Sequence, residues 1–195
     1  MPSAMLLTSG NNAIVDWVLI ELRNKNNPAL LVATKSALLQ RDGDIVDVSG
    51  NRRLLFQVPA DGYFVSVRHR NHLGVMSASA IVLSEDEVVL DLTLSTTATY
   101  GTDARIVLSN GERGQWSGNV VNDGALKYTG AANDRDPMLQ QLGGLIPTLV
   151  IPGYLSTDAS MDGKTRYTGN GNDRDLLLQN LGGVVPTVIR VEQLP

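Results

Sequence analysis

The strongest constraint on this chain is an internal repeat. Asp123-Gly-Ala-Leu-Lys-Tyr-Thr-Gly-Ala-Ala-Asn-Asp-Arg-Asp136 recurs 39 residues later as Asp162-Gly-Lys-Thr-Arg-Tyr-Thr-Gly-Asn-Gly-Asn-Asp-Arg-Asp175. The match continues through Leu139-Gln140 with Leu178-Gln179, Leu142-Gly-Gly144 with Leu181-Gly-Gly183, and Pro147-Thr148 with Pro186-Thr187. A fixed offset of this kind marks a duplicated supersecondary unit. In each copy an acidic loop leads to an Asn-Asp-Arg-Asp start signal, a short apolar stretch and a Gly-Gly stop. That order predicts two loop-helix units, with helices near Asp136–Leu142 and Asp175–Leu181. Helices this short do not persist alone, so each needs a tie to its loop.

The loops carry the chemistry. In the second copy Asp158, Ser160 and Asp162 place oxygen-bearing side chains at positions one, three and five, with Gly163 at six and the Lys164 carbonyl at seven. An EF-hand loop opens in the same way: alternating ligands face one centre, and Gly permits the sharp turn. Here six extra residues intervene before Asn172-Asp-Arg-Asp175. Asn172 is expected to cap the helix, Asp175 falls in the position-twelve slot, and Asp173 competes with it. The first copy offers Asn119, Val121, Asp123, the Ala125 carbonyl and Asp134 or Asp136, so one ligand is lost and one carboxylate becomes an amide. Fewer charged ligands weaken calcium binding. The expectation is one good, structural calcium site and one weak or empty one. Against it stands a plainer reading, in which Asp and Asn cap helices and satisfy their own backbone turns.

Upstream, short Val/Ile/Leu runs alternate with turn residues. Ala13–Leu22 alternates around Asp16, Val18, Ile20 and Leu22 and ends in the turn Asn24-Lys-Asn-Asn-Pro28. Further strands are predicted at Leu30–Leu39, Ile45–Val48, Leu54–Val58, Tyr63–Arg68, Ile81–Leu83 and Val88–Leu94. This spacing predicts a mainly β fold, an antiparallel β-sandwich followed by a small duplicated loop-helix module. The expected organisation is a sandwich with an N-terminal strand or arm over 1–98, a linker and connecting strand over 99–118, and the duplicated module over 119–195.

Two resemblances sharpen these expectations. Phe56-Gln-Val-Pro-Ala-Asp-Gly-Tyr-Phe-Val-Ser-Val-Arg68 looks like the hairpin of prealbumin-like and collagen-adhesin B-type sandwiches. Tyr128-Thr-Gly130, Asn133–Asp136, Gly143–Thr148 and their partners resemble the duplicated, dockerin-like C-terminal repeats of large secreted proteins of Bacteroidetes-type bacteria, often labelled hemagglutinin-like. Val15-Asp-Trp-Val18, Ala37–Gly43 and Arg68–Gly74 resemble the segment that accompanies those repeats. Together these resemblances imply that the sandwich is Greek-key, prealbumin- or Ig-like and that the module is dockerin-like. The second implies a secreted, cell-surface location and a role in adhesion or assembly.

Composition narrows the partners. A net charge of −4 and a pI near 5.1 argue against nucleic acid, because phosphate neutralisation needs clustered Lys and Arg. No apolar run reaches the roughly 20 residues a membrane span needs, and Met1–Gly10 lacks the pattern of an export signal. With no Cys, thiolate metal sites, thiol nucleophiles and disulfides are excluded together. His69 and His72 lack an evident third ligand and would point to opposite faces of a strand, which predicts structural roles. Asp42-Gly-Asp-Ile-Val-Asp47 reads as a solvated hairpin turn, Trp17 as core, and Trp116 as packing against the neighbouring module. No Gly-x-Ser-x-Gly elbow is present, and nothing selects a pair of carboxylates.

The expected function is therefore a non-enzymatic, calcium-stabilised extracellular module that self-associates, as a surface-fibre subunit donating a strand from 1–12 or 188–195. The alternatives are a docking module whose Met138-Leu139 and Leu176–Leu178 faces bind a protein partner, and a carbohydrate-binding accessory with a glycan as ligand.

Overall fold

The computed structural model describes Met5 and residues 7–195. The arm expected over 1–12 falls in part on 1–4 and 6, outside the described residues.

β1 (Ile14–Asn24) follows the predicted alternation, with Asp16, Val18, Ile20 and Leu22 all buried. Side chains two apart share a sheet face. Trp17 lies on the opposite parity, and it is 38% exposed rather than in the core. The turn at Lys25-Asn26 leads directly into β2 (Asn27–Gln40), so Pro28 stands inside a strand. It sits at a register shift, outside the paired positions of the β1–β2 ladder, where its missing N–H costs nothing.

β3 (Ile45–Val46), β4 (Asp61–His69), β5 (His72–Met76) and β6 (Ile81–Leu83) complete a six-stranded antiparallel sheet in the order β3-β2-β1-β4-β5, with β6 also on β4. The expected turn at Asp42–Asp44 joins β2 to β3. The fold is mainly β. Leu54–Val58 and Val88–Leu94, predicted as strands, join no ladder. They instead lay Leu54, Phe56 and Leu92 over Val18, Ile20, Ala37, Val67 and Val75 of the sheet. Short apolar runs report burial, and burial does not require ladder pairing.

Residues 99–118 contain a small ribbon of β7 (Arg105–Val107) and β8 (Arg113–Gln115). The repeat follows as β9 (Ala125–Lys127), α1 (Arg135–Gln141), β10 (Val150–Pro152), β11 (Lys164–Arg166), α2 (Asp173–Asn180) and β12 (Ile189–Val191). Both helices start and stop as their sequence signals predict. The Asn133 and Asn172 side chains accept the backbone N–H of Asp136 and Asp175 at 2.9 and 2.8 Å. At the other end Gly143 and Gly144 take φ of 84° and 76°, and their N–H groups bond the carbonyls of Gln140 and Leu139, both at 2.9 Å. Gly182 and Gly183 repeat this Schellman stop.

The two copies complete each other. β10 of the first pairs with β11 of the second, and β12 of the second pairs with β9 of the first, in equivalent registers. Thr129 Oγ1 donates to the Pro186 carbonyl at 3.0 Å, and Thr168 Oγ1 donates to the Pro147 carbonyl at 2.9 Å. Val188–Pro195, expected as a free end, is thus part of a ladder. Two-stranded ribbons of three residues are marginal alone. A shared core of Val120, Leu126, Met138, Ala159, Leu177 and Leu181 supports these, packed with Leu73 from the sheet. Among the described residues no helix is long and apolar enough to cross a membrane.

Candidate functional site

Each loop is wound around its first residue. Asn122 and Met161, at equivalent positions, adopt φ of 58° and 62°, two residues before the positive-φ Gly124 and Gly163. Left-handed backbone is unfavourable for a side chain such as Met, so the surrounding bonds must hold it. In the second copy they do: Asp158 Oδ1 accepts from Asp162 N at 3.2 Å, and Oδ2 accepts from Gly163 N at 2.9 Å. Ser160 Oγ donates to Asp158 Oδ1 at 3.3 Å, and Lys164 N donates to Asp162 Oδ1 at 3.0 Å. In the first copy Asn119 Oδ1 accepts from Asp123 N at 3.2 Å, and Asp123 Oδ1 accepts from Ala125 N at 3.0 Å.

The helix-side residue brought to each loop is the first Asp of the Asn-Asp-Arg-Asp signal. Asp173 has no exposed surface; its two oxygens accept from Ser160 N at 2.9 Å and Arg166 N at 2.8 Å. Asp134, equally buried, accepts from Val121 N at 3.0 Å and Lys127 N at 2.9 Å. Asp175 and Asp136 turn away. They accept from the Asn172 and Asn133 amides at 2.8 and 2.9 Å, and from the adjacent Arg174 and Arg135. They brace the capping side chains of Asn172 and Asn133 and leave the loops to Asp173 and Asp134.

Burial raises the Asp173 carboxyl, and the charge of Asp158 adds to it, outweighing the N–H donors. Burial and the charge of Asp123 push Asp134 up to about 6. A carboxylate with two backbone donors ordinarily titrates low; in both loops burial, with the neighbouring Asp, outweighs those donors. Each has a side-chain cation at its outer rim. Lys127 Nζ lies 2.6 Å from Asp123 Oδ2, and at the same repeat position Arg166 pairs with Asp162. The side-chain atoms of Asp158, Ser160, Asp162 and Asp173 that could ligate an ion are all oxygen, which suits a hard cation such as calcium rather than zinc. Among the described residues no group of three or more His, Cys, Asp and Glu is already drawn together as a metal site.

The structure also exposes a hub that sequence reasoning missed. Arg68–His72 does not form one strand: Arg70-Asn71 is a hairpin turn between β4 and β5, which makes His69 and His72 cross-strand partners. Their rings stand perpendicular, centroids 4.4 Å apart. His69 Nε2 lies 2.9 Å from the buried Asp16 Oδ2, without hydrogen-bond alignment, and Arg70 Nε lies 3.1 Å from the same oxygen. Asp16 also accepts from Tyr154. Burial alone would raise Asp16; the contacts from His69, Tyr154 and the Trp17 N–H overcome it and bring it to about 2. Asn71, fully buried, donates through Nδ2 to the carbonyls of Ser156 at 2.9 Å and Asp158 at 2.7 Å. The tip of the sheet hairpin therefore grips the first residue of the second loop. The signal in the sequence is Asn71, a turn-favouring residue set between two apolar runs. Trp116 packs as expected, with its indole N–H on the Asp103 carbonyl at 3.0 Å and Arg190 over its ring.

This hub makes stability depend on pH. Burial lowers His72 most, the charges of His69 and Arg70 lower it further against Asp16, and it reaches about 3. The folded pKa lies below the unfolded value near 6.5, so the stabilisation is full above pH 6.5 and is lost as pH falls toward 3. The raised loop carboxylates act in the opposite direction. Comparing urea denaturation at pH 7 and pH 5 for the parent chain and His72→Gln isolates the histidine. Its share is about 2 kcal/mol of stability lost by the parent and spared in the variant; equal pH dependence in both would contradict the assignment.

Comparison with protein-family models, with curated proteins and with solved structures finds no match to this chain.

Proposed function

We propose that the chain is a non-enzymatic extracellular module, a structural or adhesive unit of the cell surface whose second loop is tightened by one calcium ion. The observation that carries this reading is the fully buried Asp173 carboxylate beside Asp158, raised by burial and by that neighbour's charge. Calcium, when bound, supplies the positive charge that such a pair lacks. Asp158, Ser160, Asp162, the Lys164 carbonyl and Asp173 would hold it, and the ion would displace Arg166 from Asp162. The first loop is the weaker one. Asn119 and Val121 remove charge and a ligand there, and Lys127 already balances Asp123.

The sheet order β3-β2-β1-β4, in which the fourth strand returns beside the first, supports the Greek-key part of the fold. The likeness to hemagglutinin-like secreted repeats supports the surface location. The docking alternative is less favoured, because Met138 and Leu177 are fully buried between the copies and the sheet.

Calorimetric titration of the full chain with calcium tests the reading. The expected result is one equivalent bound, lost in Asp158→Asn and kept in Asp123→Asn. No binding heat, or binding that survives Asp158→Asn, would overturn it.

A further inference from the structure

The reciprocal pairing of the two copies carries a consequence for assembly. Neither tail strand is used by its own copy: β12 of the second lies on β9 of the first, through Ile189 with Lys127, Arg190 with Leu126 and Val191 with Ala125. All of these partners are present in every molecule. A ladder formed between two elements of one chain forms equally well between the same elements of two chains, provided the connection can open. Here the connection is Gly182-Gly183, both at positive φ, with nothing within 4 Å of where a Cβ would stand. Glycine has the backbone freedom that opening this stop requires.

The segment beyond this hinge is built like an inserted strand. Val184, Ile189 and Val191 are more than half exposed, so few side chains anchor it inside its own module. Its specific contacts are to the duplicated module, where Arg190 Nε donates to the Asn180 carbonyl at 3.0 Å and Glu192 N donates to the Gly124 carbonyl at 2.8 Å, to the 99–118 segment and to the sheet. Glu192 accepts from Gly74 N at 2.6 Å and pairs with Arg68 Nη1 at 3.0 Å, and Gln193 accepts from Thr102 N at 3.3 Å. The receptor, filled in the closed form by the chain's own segment, comprises the β9 edge, one backbone donor and one guanidinium.

We propose that segment 184–195 swings about Gly182-Gly183 and inserts into the β9 edge and Arg68–Gly74 receptor of a second copy of this chain. The exchanged pair uses the bonds of the closed form. Closure within one chain is favoured by an effective concentration of roughly millimolar, so exchange prevails where copies are crowded, as on a surface. This rests on the structural role proposed above and adds self-assembly to it. It does not depend on the ion, so failure of either claim leaves the other standing.

The chain has no cysteine, which allows a direct trap. Full-length Ala125→Cys and Val191→Cys chains are mixed at high concentration, incubated warm in calcium or chelator, then oxidised. The expected result is a covalent heterodimer at least tenfold more abundant than from a mixture of Val191→Cys with Val82→Cys, whose cysteine lies on β6, away from the ladder. The double variant Ala125→Cys/Val191→Cys is expected to close within one chain and to suppress dimers. If the double variant closes and the mixture gives no dimer above the control, exchange does not occur; if the double variant fails to close, the ladder on which exchange depends is absent.

Discussion

Asn71→Ala is expected to destabilise the chain by about 3 kcal/mol or more, a large loss for one side chain. Asn71 is fully buried, and its amide closes three contacts: Nδ2 donates to the carbonyls of Ser156 and Asp158, and Oδ1 accepts from His72 Nδ1 at 2.8 Å. Truncation leaves the carbonyl of the buried Asp158 without this partner, at about 1–3 kcal/mol, and takes partners from His72 and from the more exposed Ser156 carbonyl. The backbone of the residue would be untouched, and its carbonyl would still accept from Gly118 and Asn119 at 2.9 Å. The damage should therefore centre on the join between the sheet and the second loop. Urea denaturation reads the loss, and hydrogen exchange should find it concentrated at residues 155–166. A variant as stable as the parent would mean that the hairpin tip does not hold the loop.

The second large effect depends on conditions. Asp173→Asn removes a carboxylate whose charge is unfavourable in the empty loop, and it also removes one of two acceptors for Ser160 and Arg166. In chelator these changes oppose each other, and the variant should stay within about 1 kcal/mol of the parent. In calcium the parent gains stability by mass action, roughly 3–4 kcal/mol at 100 to 1,000 times the dissociation constant. The variant forgoes it. A loss of equal size in calcium and in chelator would make Asp173 an ordinary buried acceptor.

What the sequence revealed follows how local each signal is. The helices were legible because Asn172 and Gly182-Gly183 act within one turn of the elements they bound. β1 was legible because period-two burial is written into Asp16, Val18, Ile20 and Leu22. The same parity places Trp17 outside, so its assignment to the core followed residue type against the pattern. β5 was missed because Leu73, Gly74, Val75 and Met76 are all buried and show no alternation.

The choice between Asp173 and Asp175 lay beyond sequence. The two are separated by part of a helical turn, and only the fold decides which faces the loop and which meets Asn172. The reciprocal pairing was invisible for a similar reason. Ala125–Lys127 and Ile189–Val191 are too short to carry a pattern, and their partnership is set by the shared core around Leu126 and Leu177. The cations at the loop rims were in plain view as Lys127 and Arg166, four residues after Asp123 and Asp162. Their meaning depended on a backbone that turns them inward.

The calcium clamp on the second loop is the central claim, and the thermal midpoint of the full chain in millimolar calcium and in chelator tests it most directly. For a chain of 195 residues, a stabilisation of about 3 kcal/mol raises the midpoint by about 6–12 °C, and Asp158→Asn should abolish the rise. A midpoint that is the same in calcium and in chelator would contradict the clamp and leave the loops as hydrogen-bonded turns.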